Sequence, residues 1–393
     1  MKKLSIILLF AMILSVFAGC GGSESGNNES TDTSATEGTP SDETEFVQTV
    51  LSADDLDPRK VVYDYMYKMS QIKWTPSELL DLSSINEQLV YTPGTEYVGM
   101  PYVTQIAGTY EMFMDVLEDG KYVGPTDPKN AIGNHCSSSI INSWKQVSNT
   151  ITAGYTVNMM PNKGKGTIPV GDYVYEKDDQ STEDIVHHNK QDVIFDAYTK
   201  LQLGDAILSA GKSGQWSDTG HARMVVSLNI ESTPGGKINP NRSTIKTIEQ
   251  TNAFDKSASV KTNWYVFHEY TFTDLYSKNY IPVTVKELSE TPEEPTFNTS
   301  NLNTPANIVR GKLKGIIYSN HVINSITVTI SEKNGDTVLE ETYSNPDGKN
   351  FTFEDRPLPD AFKELKAGRY FFKLTANIAY GAVDIHGFYF DKT

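Results

Sequence analysis

Residues 287–307 divide the chain. This stretch is rich in Pro, Glu, Asn and Thr and carries no sustained hydrophobic pattern, so 287–308 reads as a linker. The hydrophobic period differs on its two sides. Before it, apolar residues recur both at helical spacing and in strict alternation. After it only alternation remains: Ile326, Val328 and Ile330, then 370–376 beyond Gly368, with Asn334-Gly335 marking a hairpin turn. A chain with this change of period cannot share one uniform architecture across the boundary.

We therefore read 47–286 as an α+β domain and 309–393 as a small all-β domain of immunoglobulin-like sandwich type. In the first part, Asp57-Pro58 places an N-cap before a proline at the first helical position. Val61, Val62, Tyr65, Met66, Met69 and Ile72 then form one helix face. Further helices are expected at 109–117 and 192–201. Strands are expected at 203–208, 220–228, 244–250 and 264–272, and the unit is expected to end near Tyr280-Ile281-Pro282-Val283. Asn162-Lys163-Gly164-Lys165-Gly166-Thr167 lacks the spacing of a phosphate-binding loop and reads as a turn.

The amino terminus carries a different signal. Met1-Lys2-Lys3 precedes an apolar run at 4–17, too short for an ordinary membrane span. The run ends in Ala18-Gly19-Cys20, and small residues directly before a Cys resemble the bacterial lipobox. That resemblance implies a signal peptide at 1–20 and a lipid on Cys20. Residues 21–46 hold seven acidic residues and no Lys or Arg, a composition that cannot build a core and reads as a disordered tether. The expected location is outside the cell, on the outer face of a Gram-positive-type cytoplasmic membrane, held through the lipid. A net charge of −16 argues against nucleic-acid partners.

The chain has two cysteines. With Cys20 assigned to the signal, Cys136 is left as an unpaired thiol in an exported protein, and such a thiol points to intermolecular pairing or reactivity. Ile140, Ile141, Trp144 and Val147 follow at helical spacing, which puts Cys136 at a helix N-terminus. Unpaired N–H groups and the positive dipole end favour the thiolate there. A thiol nucleophile needs an imidazole base and a polar group that orients it. His221 opens a later strand. On the strand after that, Glu249 and Gln250 alternate to opposite faces, so only one can reach His221. His135 and Ser137 flank the cysteine as further candidates. His187 and His188 sit in a polar segment without a zinc-binding pattern, so neither a metal nor a cofactor is expected.

In order along the chain stand Gly99-x-Pro101-Tyr102, His135-Cys136-Ser137, Leu203-Gly204-Asp205 and Gly220-His221 with an apolar strand behind it. Together they resemble the NlpC-type papain-fold cell-wall cysteine peptidases, over roughly 58–283. The resemblance implies a papain-like fold with Cys136 as nucleophile, His221 as base and Tyr102 beside the nucleophile. The family places His, Asn or Gln third, which favours Gln250 over Glu249. Where the family has Asp before the Cys and Gly after Cys-Ser, this chain has His135 and Ser138. The implied activity is hydrolysis of peptide bonds in peptidoglycan stem peptides or crosslinks, by a monomer. Two other readings stay open: a non-catalytic surface-binding lipoprotein, suggested by His135 and Ser138, and a transglutaminase-like acyl transferase using the same Cys–His chemistry.

Overall fold

The computed structural model describes residues 46–393 apart from 105–107, 149, 153, 162–165, 177–179, 212–219 and 346–347. The expected signal peptide with Cys20, most of the expected tether and most of the expected turn at 162–167 lie outside the described residues. No described helix is long and apolar enough to cross a membrane.

The first part is α+β. Helix α1 (Pro58–Gln71) starts where the local chemistry places it: Asp57 is the N-cap, and its carboxylate accepts from Lys60 N at 3.0 Å. Val62, Tyr65, Met66 and Met69 face the core. Helix α2 (Cys136–Trp144) packs against α1 and against a six-stranded sheet. The sheet comprises β1 (Thr167–Pro169), β2 (Ala206–Ser209), β3 (His221–Asn229), β4 (Thr244–Gln250), β5 (Trp264–Thr271) and β6 (Ile281–Val285). Its order is β5-β4-β3-β2-β6-β1 and every neighbouring pair is antiparallel. Strand Lys73–Pro76 seeds a smaller sheet, over which Trp74 packs with Tyr91, Tyr97, Phe113 and Tyr122.

Helix α2 is more deeply placed than its apolar spacing suggested. All nine of its residues are buried, not one face alone. Its polar side chains are satisfied locally: Asn142 Nδ2 donates to Asn134 Oδ1 at 3.0 Å and to Gly108 O at 2.9 Å, and Ser143 Oγ donates to Ser139 O at 2.8 Å. Serines that bond within their own turn let a sequence of mixed polarity fill a core.

The second part is all-β. Strands Phe297–Ser300, Ile316–Ser319 and Asn350–Thr352 form one antiparallel sheet. Thr337–Ser344, Ile323–Glu332, Gly368–Ile378 and Gly381–Lys392 form another, in that order. Ile317, Val328, Phe353, Phe372 and Leu374 share one core. The expected hairpin is present, with Gly335 at φ +94° in its turn.

The expected starts of both parts move. Phe297–Ser300 pairs with Ile316–Ser319, and Ile308, in the short helix Pro305–Val309, is fully buried in the second core. These residues belong to the all-β part, so the linker ends before 297. At the other end, Thr49 N donates to Asp384 O at 3.2 Å and Leu51 packs on the second core. The segment at 46–51 therefore serves the carboxy-terminal part, and the α+β part begins nearer Asp57.

Candidate active site

The N-terminus of α2 is fixed from three directions. His135 is the N-cap, with extended backbone at φ −128°. Its N–H donates to Ser138 Oγ at 2.9 Å and its Nδ1 accepts from Ser138 N at 3.4 Å, a reciprocal cap. At the far end Trp144 Nε1 donates to Gly204 O at 2.8 Å. Gly204 belongs to the Leu203-Gly204-Asp205 motif. Its neighbour Asp205 accepts from Arg59 at 2.9 Å and from Thr284 Oγ1 at 2.6 Å, tying α1 to β6. That motif holds the helix in place and does not reach the cysteine.

The Gly99–Tyr102 loop supplies the second wall. Gly99 has φ +79°, and a Cβ there would lie 2.2 Å from Trp264 Cδ1. Only glycine meets both demands. Met100 O accepts from Gln250 Nε2 at 2.8 Å and from Trp264 Nε1 at 2.9 Å. Pro101 O accepts from Asn134 N at 3.0 Å, and Val103 N donates to Asn134 O at 2.8 Å. The loop is thereby stitched to the residues just before Cys136, and Tyr102 lies against the thiol. Burial first, then the Cys136 charge, hold the Tyr102 hydroxyl well above the usual phenol range.

The third wall is the sheet. His221 opens β3, and two residues on, along the same face, comes Arg223. From β4, Glu249 meets both: His221 Nε2 is hydrogen-bonded to Glu249 Oε2, and Arg223 Nε donates to the same oxygen at 2.8 Å. Tyr270 on β5 donates its hydroxyl to Glu249 Oε1. With Nε2 engaged, Nδ1 is the imidazole nitrogen left for Cys136.

This overturns the preferred orienting residue. Gln250 does not face His221. Its amide nitrogen is committed to Met100 O on the other face of β4, where it braces the Gly99–Tyr102 loop. Glu249, the less favoured of the two, is the partner of the imidazole.

The electrostatics follow from these contacts. Cys136 is 6% exposed. Burial alone would push its thiol up, but hydrogen bonding and charge from His135 and His221 outweigh it and bring the thiol down to about 5. Burial likewise opposes the His221 imidazolium, yet the thiol and Glu249 raise it to about 9. Burial disfavours the Glu249 carboxylate, and His221 and Arg223 bring it down to about 2. At neutral pH the site is thus a thiolate, an imidazolium and a carboxylate, with Arg223 as a second cation.

His135, one of the two candidates flanking the cysteine, joins this group. Its ring interacts with the thiol, lies 3.1 Å by Nδ1 from Ser137 Oγ and stacks on Tyr155 at 5.3 Å between ring centres. Ser137 Oγ also donates to Gly154 O at 3.2 Å, so it supports the His135 ring rather than the thiol. His187 and His188 are exposed at the end of helix Thr182–His188. Among the described residues no three metal-ligating side chains converge. Arg223, Tyr270 and Tyr280 escaped the sequence reading. The available signal was Arg223 itself, a cation two residues after His221 in an otherwise apolar strand.

No protein-family model matches the sequence, and no curated protein is significantly similar to it.

Proposed function

We propose that the protein is a cysteine peptidase or amidase of papain-like fold, followed by an immunoglobulin-like domain and acting on cell-wall peptides from a lipid anchor at Cys20. One observation carries the reading. A buried thiol at a helix N-terminus lies against an imidazole that is itself backed by a buried carboxylate. The ordered motifs around Tyr102, Cys136, Asp205 and His221 support the same family, and the lipobox-like terminus with its acidic tether supports the location.

The arrangement suits acyl transfer. The Cys136 thiolate attacks the scissile carbonyl carbon, a C–S bond forms, and the carbonyl electron pair moves onto oxygen. That oxyanion develops beside the positive dipole end of α2. When it collapses, the C–N bond breaks and the leaving amine takes its proton from His221. The neutral imidazole then removes a proton from water, whose oxygen attacks the thioester. The C–S bond breaks, the product leaves as an acid, and the thiolate–imidazolium pair is restored. Glu249 holds the imidazole in one orientation through both halves.

The test is to incubate the chain from residue 46 onward with purified peptidoglycan and identify released fragments by mass spectrometry. New amino and carboxyl termini within stem peptides or crosslinks are expected. Intact wall after prolonged incubation, with the protein folded, contradicts the reading.

A further inference from the structure

We propose that Arg223 is a positioning residue of the site: it is the permanent counter-charge that keeps Glu249 ionised while His221 gains and loses its proton. This rests on the reading of Cys136 as an activated thiol paired with His221.

Glu249 is almost fully buried, its side chain 1% exposed. A buried carboxylate is costly unless a cation and hydrogen bonds compensate it. His221 can compensate it only while protonated, and acyl transfer requires His221 to become neutral each time it gives its proton to a leaving group. With His221 as sole partner, Glu249 would then be an uncompensated buried anion. It would take up a proton and lose its hold on the ring. Guanidinium does not deprotonate in this range, so Arg223 supplies a charge that the chemistry leaves unchanged.

The geometry fits a fixed role. Arg223 Nε sits 2.8 Å from Glu249 Oε2, the same oxygen that engages His221. Its guanidinium lies between two rings, 4.2 Å from the centre of Tyr270 and 4.4 Å from that of Tyr280. Tyr270 closes the group by donating to the second Glu249 oxygen. Arg223 Nη1 is buried without a hydrogen-bond partner among the described residues, so the side chain is held by one carboxylate and two ring faces at the expense of a donor. The groups facing Glu249 are His221 and Arg223 from β3 and Tyr265 and Tyr270 from β5, with Tyr280 behind Arg223. Arg223 is the only one whose charge is constant through the cycle.

The experiment is the pH profile of iodoacetamide alkylation at Cys136, read by mass spectrometry from pH 4 to 9, for the wild-type chain, Arg223→Met and Arg223→Lys. Circular dichroism confirms that each is folded. Wild type is expected to alkylate from near pH 5. Arg223→Met frees Glu249 to protonate, weakens the imidazolium and moves the onset up by about one unit or more. Arg223→Lys keeps the charge and returns most of the shift. If Arg223→Met does not fold, Arg223→Gln, which keeps a buried donor but no charge, takes its place. A folded Met or Gln variant with the wild-type onset overturns the role of Arg223 alone. A wild-type onset near the ordinary thiol value of about 8.5 overturns the activated-thiol reading beneath it as well.

Discussion

Glu249 and Gln250, adjacent in sequence, leave β4 in opposite directions and do different work. Glu249 meets His221 and Arg223, while Gln250 reaches across the other face to Met100 O. The two can therefore be separated experimentally. Glu249→Gln removes the charge behind the imidazole, and kcat/KM on a wall peptide should fall by about 10²–10⁴-fold with the fold retained. Gln250→Ala should instead act on stability. It leaves a buried carbonyl with one donor fewer and should cost about 1–3 kcal/mol in urea unfolding. Activity should fall less than in Glu249→Gln.

The Gly99 turn makes a second prediction. Gly99→Ala meets a positive φ and a Cβ position 2.2 Å from the Trp264 ring. Trp264 is itself bonded to Met100 O, so the strain passes directly to the loop bearing Tyr102. A loss of about 1–2 kcal/mol from the left-handed backbone alone is expected, with more from the clash. A melting temperature equal to wild type would show that the loop is free to move aside.

Stability should depend on pH through Glu249. Its folded pKa is depressed to about 2 from an ordinary value of 4.5, by His221 and Arg223 acting against burial. A depressed acid stabilises the fold above its unfolded pKa and loses that contribution as pH falls through the folded one. The window is therefore from about pH 4.5 down to about pH 2. Urea midpoints across it should drop in wild type. They should drop less steeply in Glu249→Gln, which has no proton to take up there.

The moved domain boundaries give a fourth prediction. A fragment spanning 57–290 should fold alone, because the segments at 46–51 and 297–309 serve the other core. Leu51→Ala in the full chain should destabilise only the carboxy-terminal part. Leu51 is half-buried, so about 1–2 kcal/mol is expected, below the cost of a fully buried leucine. A 57–290 fragment without native circular dichroism would mean that the two parts depend on one another.

What the sequence made legible was what local chemistry decides. The Asp57-Pro58 start of α1, the alternation of β4 and the Asn334-Gly335 turn all depend on residues within a few positions of each other. Alternation also said that Glu249 and Gln250 face apart. It could not say which face meets His221, because that is decided by where α2 and the Gly99 loop pack against the sheet. Family habit favoured a neutral amide at this place, and the geometry puts a carboxylate there, with Arg223 making its charge tolerable. The same limit explains the boundaries. Phe297–Ser300 lies in a polar, proline-rich stretch that reads as linker, and only pairing with Ile316–Ser319 makes it a strand.

The most direct measurement is peptide release from purified peptidoglycan before and after one equivalent of thiol alkylation, with the modified site mapped by mass spectrometry. Cys136 is the free thiol among the described residues. The account predicts a single added group on Cys136, complete loss of release, and the same loss in Cys136→Ala. A chain alkylated at Cys136 that releases peptides at the unmodified rate would contradict it.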